Sequence, residues 1–251
     1  MKIPSTYVYI DGFNLYRRAL ESSGYKWLDL DKLCAARLPN FDVRKIYYFT
    51  ANIKSLPHDP QQAQRQQTYF RALETNPKIT LIKSTFRDES AWMPAQPWEY
   101  DDLGQPKLHK VRRMKEKGSD VNLATQLLID AYENKCEVQF VMTADSDLVS
   151  PISHIKNSLG RSIGVILPTE RNSKNLKKIA DPLVYHLRKG LLESSQYPDT
   201  LEDGNGEFTK PDLWGKTEIP TEVGISRPAA EATGEVRALS RQRYDRPEMV
   251  R

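Results

Sequence analysis

Short apolar runs alternate along this chain with longer stretches whose apolar residues recur at helical spacing. The first run, Tyr7-Val8-Tyr9-Ile10, is β-branched and aromatic. It stops at Asp11-Gly12-Phe13-Asn14, ahead of a helical pattern over 14–22 that Gly24 is placed to end. This predicts a buried strand with Asp11 at its C-terminal end and a sharp turn at Gly12. Residues 29–37 read as a short helix capped near Asp29 or Asp31 and closed by Pro39, and residues 43–50 read as a strand. Residues 60–75 read as an exposed helix with Ala63, Tyr69, Phe70 and Leu73 inward, followed by a strand over 79–83. The best helix covers 120–134, with Leu123, Ala124, Leu127, Leu128 and Ala131 in period and Asp120 in the first turn. A strand over 138–143, a helix over 147–158, a strand over 162–167 and a helix over 173–188 broken near Pro182 complete the pattern. Such alternation predicts an α/β fold with a doubly wound, mainly parallel sheet.

Two stretches break the rhythm. Residues 84–116 begin as a long loop or irregular hairpin holding Trp92 and Trp98, then turn basic through Lys107, His109, Lys110, Arg112, Arg113 and Lys115. Aromatic rings beside cations suit a strand-binding surface, and a lid with a solvated charge run suits the pattern equally. From about residue 194 the composition shifts to Pro, Gly, Glu, Thr and Ser. The expected division is a domain over 1–190, then a linker and mostly disordered, flexible tail over 191–251. Phe208 to Trp214 form an apolar island that docks back or serves as an interaction motif.

Composition narrows the class. Hydrophobic residues make up 39% and charged ones 28% of 251 residues, as in soluble globular proteins. No apolar run approaches the roughly 20 residues of a membrane span, and the N-terminus lacks a signal-peptide core, so a cytoplasmic protein without a membrane partner is expected. Cys34 and Cys136 read as reduced thiols. Residues 191–251 hold 8 Lys+Arg and 12 Asp+Glu, net −4; this leaves 29 and 21 of the chain's 37 and 33 for residues 1–190, net +8. The domain is basic, as a polyanion-binding protein would be.

Three sequence positions put carboxylates at strand–helix junctions: Asp11, Asp120, and Asp145 with Asp147. Taken singly, Asp120, Asp145 and Asp147 read as helix caps. Asp11 shows no obvious structural need for a charge. In a doubly wound sheet these junctions lie near one another, and gathered carboxylates are costly without a partner. A hard divalent cation is the cheapest partner, and it activates water against a phosphodiester. His58, His109, His154 and His186 show no ligand spacing and read as structural or surface residues.

The segments YVYIDGFNLY, KGSDVNLATQLLIDA and VMTADSDLVSPI, in this order, resemble the three motifs of the NYN domain family over residues 5–190. That family resembles the PIN-domain ribonucleases in fold, and its LabA-like bacterial branch is the most similar. The resemblance implies Mg²⁺- or Mn²⁺-dependent cleavage of RNA, single-stranded by preference. It implies Asp11, Asn14, Asp120, Asp145 and Asp147 as the catalytic set. Asp11, Asp120 and Asp145 would be the metal ligands, with Asn14 and Asp147 orienting them and the water. Lys110, Arg112, Arg113, Lys115 and Lys117 are expected to hold the phosphate backbone, and Ser146 either contacts a phosphate or serves the cap. A homodimer is compatible with such a domain.

Other classes fare less well. A haloacid dehalogenase-type phosphatase needs an acid two residues after its nucleophilic Asp, and Phe13 stands there. No G-x-G-x-x-G follows the first strand, against dinucleotide binding. The remaining rival is a catalytically idle module on the same fold that binds RNA or a protein.

Overall fold

The β-branched and aromatic runs form the strands of one seven-stranded sheet, in the order β4-β3-β2-β1-β5-β6-β7. The computed structural model describes residues 2–169 and 173–214, with the side chains of Met114 and Lys115 left aside. β1 (Ser5–Asp11) lies at the centre, parallel to β2 (Asp42–Ala51) on one side and β5 (Val138–Met142) on the other. β6 (Ser162–Leu167) and β7 (Val184–His186) extend the sheet in parallel beyond β5. The sheet is therefore α/β, mainly parallel and doubly wound, as the alternation predicts. The strand order reverses between β1 and β5, which opens the crevice where such folds place ligands.

Alternation along β1 assigns each face its own core. Val8 and Ile10 pack with Trp27, Leu33, Phe70 and Phe140, while Tyr9 faces Phe49, Leu123, Leu127 and Ile152 on the other side. The first face is covered by α1 (Gly12–Leu15), α2 (Leu30–Arg37) and α3 (Gln62–Glu74), the second by α4 (Ser119–Tyr132), α5 (Val149–Ser153) and α6 (Lys174–Ala180). α1 continues as a wider turn over Tyr16–Leu20, and α5 continues likewise over His154–Ser158. Asp29 caps α2 by accepting the N–H groups of Asp31 and Lys32 at 3.0 and 3.1 Å.

Three expectations change. The strand expected over 79–83 is longer: β3 (Ile79–Pro94) pairs with β2 along its first six residues and then leaves the sheet as an antiparallel ribbon with β4 (Leu108–Lys117). The expected loop is thus mostly regular strand, because cross-strand partners continue from Thr85↔Lys117 to Pro94↔Leu108. The helix expected over 173–188 ends at Ala180, and Val184–His186 form an edge strand too short for its period to be visible.

The third change concerns the expected linker. Residue 190 falls inside α7 (Lys189–Ser194), and β8 (Thr200–Asp203) and β9 (Gly206–Thr209) form a hairpin after it. Phe208 lies edge-on to Trp27 at 6.5 Å, and Trp27 Nε1 donates to the Pro198 carbonyl at 2.8 Å. Arg71 clasps the hairpin, donating to both Asp203 oxygens at 2.7 and 2.6 Å while its guanidinium lies 4.1 Å from the Phe208 ring centre. The island at 208–214 therefore docks back. The tail expectation for 215–251 lies outside the described residues. No helix among those described is long and apolar enough to cross a membrane.

Candidate active site

Asp11 ends β1, is only 5% exposed, and turns its carboxylate into the crevice between β1 and β5. One oxygen, Oδ1, accepts the Asn14 N–H at 2.9 Å as the cap of α1; the other, Oδ2, accepts the Thr143 hydroxyl at 3.1 Å. Gly12 permits this turn for want of space: a Cβ there would sit 2.6 Å from Tyr48 Cζ and 2.7 Å from the Phe49 carbonyl oxygen. Burial raises the Asp11 pKa to about 6, the hydrogen bonds from Asn14 and Thr143 hold it down, and the charges of Asp120 and Asp145 raise it again.

Thr143 ties the second junction to the first. Its Oγ1 accepts the Asp145 N–H at 3.0 Å, and Asp145 in turn caps the 3-10 turn Ser146–Leu148 by accepting the Asp147 N–H at 3.0 Å. Asn14 spans the same gap, its side-chain oxygen accepting the Ala144 N–H at 3.0 Å. Asn14 therefore holds the two strand ends together. Asp147 and Ser146 are exposed at the rim.

Asp120 arrives from the ribbon. β4 turns directly into α4 at Gly118, whose φ of 101° is left-handed and suits glycine. Asp120 opens to solvent, yet the protein around its carboxyl, then the charges of Asp145, Glu116 and Asp147, push its pKa upward. Glu116 was not apparent from the sequence. It caps α4 by accepting the Ser119 N–H at 2.8 Å and adds a carboxylate beside Asp120.

Asp130 was also missed. It is buried, accepts Tyr9 Oη at 2.7 Å and Gln126 Nε2 at 2.9 Å, and Gln139 joins the network by donating to Tyr9 Oη at 2.9 Å. These bonds fix α4 against β1 and β5, and so fix where Asp120 stands. An acid inside the apolar period of α4 was the available sequence signal.

No Lys, Arg or His pairs with Asp11, Asp120, Asp145, Asp147 or Glu116 among the described residues. The acids are coupled by charge, yet among those residues no three Asp, Glu, His or Cys side chains are grouped closely enough to hold a metal ion as they stand. The donor set is all oxygen, the chemistry that hard divalent cations favour, and Asp11 keeps further lone pairs beyond its two bonds.

The basic residues divide. Arg112 is held by Asp88, donating from Nε at 2.9 Å, and Lys117 lies 3.6 Å from Glu89. Lys110 and Arg113 are exposed on β4 without an ion-pair partner among the described residues. The Lys115 side chain lies outside the described set.

A doubly wound sheet thus carries carboxylates just beyond the ends of β1 and β5 and at the start of α4. Residues 5–188 match the NYN domain, and the chain belongs to that family. It is also 28% identical over 244 residues to the 6-hydroxy-3-succinoylpyridine 3-monooxygenase HspA of Pseudomonas putida, covering 87% of this chain and 78% of that protein. A crystal structure of a protein of unknown function from Vibrio parahaemolyticus aligns with a TM-score of 0.45 at 14% identity, over 75% of this chain and 98% of the other. A likeness at that level carries no argument.

Proposed function

We propose that this chain is a metal-dependent ribonuclease that hydrolyses phosphodiester bonds of single-stranded RNA. The observation that carries the reading is the electrostatic coupling of Asp11, Asp120 and Asp145 in the switch-point crevice of a basic domain, with no Lys, Arg or His paired to them among the described residues. These three would hold Mg²⁺ or Mn²⁺, which when bound lowers the pKa of a water and neutralises charge on the phosphodiester. Asn14 and Thr143 keep Asp11 and Asp145 oriented. Asp147 at the rim would orient the attacking water, with Ser146 beside it as a phosphate contact. Lys110 and Arg113 neutralise backbone phosphates, and Arg112 and Lys117 do so only by sharing themselves with Asp88 and Glu89.

One observation favours a second reading. Because three carboxylates do not converge as they stand, the same surface would also serve a catalytically idle RNA- or protein-binding module. Cleavage of end-labelled single-stranded RNA in Mg²⁺, Mn²⁺ or EDTA, with Asp145→Asn beside the wild type, separates the two. Cleavage abolished by EDTA and by the substitution is expected. RNA binding without cleavage favours the idle module. Oxygenation of 6-hydroxy-3-succinoylpyridine, in place of RNA cleavage, would replace both readings with the monooxygenase activity named for the Pseudomonas relative.

A further inference from the structure

Seven of the twelve large hydrophobic side chains exposed among the described residues lie between 92 and 111, at the outer end of the β3–β4 ribbon. Trp92 is 65% exposed, Trp98 54% and Tyr100 61%, and the last two rings sit 6.4 Å apart. A concentration of this kind marks an interaction surface.

Register shows where it leads. Directly opposite residues of an antiparallel pair share a face, so Phe86, Ser90 and Trp92 lie on one face with Glu116, Arg112 and Lys110. At the foot of that face Phe86 meets Phe13 edge-on at 5.6 Å, two residues after Asp11 in the chain. The ribbon's acids are largely engaged. Asp88 holds Arg112 with Lys54 at 4.0 Å, Glu99 lies 3.4 Å from His109, and Asp101 accepts the N–H groups of Leu103 and Gln105 at 3.0 and 2.8 Å. Lys107, Lys110 and Arg113 keep their charge unpaired among the described residues.

We infer that the ribbon is an arm that grips single-stranded RNA away from the cleavage site. Bases stack on Trp92, Trp98 and Tyr100, and phosphates follow the unpaired Lys110, then Arg112 shared with Asp88, inward toward Asp120. The inference rests on the nuclease reading of the Asp11 site and adds a second contact region to it. Free cations beside exposed flat rings complement a polyanion whose every base offers a π-face. A second copy paired along the open edge of β4 would instead set Lys110, Arg112 and Arg113 against their own counterparts. From Phe86 to Trp92 the strand rises about 20 Å. At the stacked spacing of about 3.4 Å per nucleotide this is roughly six nucleotides. Substrates shorter than that reach only the carboxylates.

The test is fluorescence anisotropy with labelled oligouridylates of 4 and 12 nucleotides in EDTA, using Asp11→Asn with and without the triple change Trp92→Ala, Trp98→Ala, Tyr100→Ala. Far stronger binding of the 12-mer is expected, with a loss on the order of tenfold or more in the triple variant and quenching of tryptophan emission only where the rings remain. Equal 12-mer affinity with and without the rings overturns the arm, whatever the wild type cleaves. A triple variant that sediments as a smaller species with unchanged RNA affinity also overturns it and gives the surface to a second copy. Ring-dependent binding in a chain that never cleaves RNA supports the arm and removes only the catalytic reading.

Discussion

The Thr143 hydroxyl donates to Asp11 Oδ2 at 3.1 Å across the seam between β1 and β5, and Thr143 Oγ1 itself accepts the Asp145 N–H at 3.0 Å. One side chain thus sets the position of two proposed ligands. Thr143→Val keeps the volume and removes both bonds. Because the Thr143 bond holds the Asp11 pKa down, its loss moves that pKa above about 6. At subsaturating Mg²⁺, where proton and cation compete for Asp11, the acidic limb of the rate–pH profile should shift toward alkaline pH, with the rate reduced about tenfold. An unmoved limb would separate Asp11 from the rate-controlling ionisation.

Asp11 should also burden the fold. Its folded pKa of about 6 lies above the ordinary 3.8, so the folded protein binds the proton more tightly than the unfolded chain. Stability is therefore lost as pH rises from below 4 through 6, and the full cost applies above 6. Asp11→Asn, without divalent cation, should stabilise the protein at pH 7.5 by on the order of 2 kcal/mol, with the gain gone at pH 3.5. Urea unfolding at the two pH values reads this directly. A variant less stable at pH 7.5 would refute it.

Gly12→Ala tests the turn that aims Asp11. The new methyl would meet Tyr48 and the Phe49 carbonyl oxygen at 2.6 and 2.7 Å, and backbone cannot step aside cheaply. Destabilisation of about 1–3 kcal/mol is expected, with RNA cleavage reduced more than stability alone explains. Thermal melting beside the cleavage assay is the measurement.

The hairpin makes a prediction about where the domain ends. Phe208 and Tyr197 belong to the core around Trp27, so a chain cut after residue 190 exposes buried aromatic surface. It should aggregate or melt well below a chain cut after residue 214. Arg71→Ala removes a bidentate charge pair and a ring contact together, and should lower the melting temperature while speeding proteolysis near residues 203–206.

Much of the domain was legible because its pattern is local. The runs of β1, β2, β5 and β6 and the apolar period of α4 carry their own signals, and Asp11, Asp120 and Asp145 stand at their ends. Other features depend on pairing across distance. Ala91 and Ser90 do not look like a strand until Val111 and Arg112 lie opposite them. Val184–His186 is three residues long, and the Phe208 island docks only because Trp27 and Arg71 await it. Glu116 is invisible in the sequence as a site-builder, and Asp130 shows only as an acid inside the apolar period of α4, because their roles are hydrogen bonds to partners the sequence does not name.

The central claim is that Asp11, Asp120 and Asp145 form one cation site. Its most direct test is an NMR titration of the Asp11 carboxyl in wild type and in Asp120→Asn, each with and without Mg²⁺. The account gives a value near 6 without metal, lower in Asp120→Asn because a repelling charge is gone, and much lower in wild type with Mg²⁺. An Asp11 carboxyl that titrates identically in all four samples would contradict it.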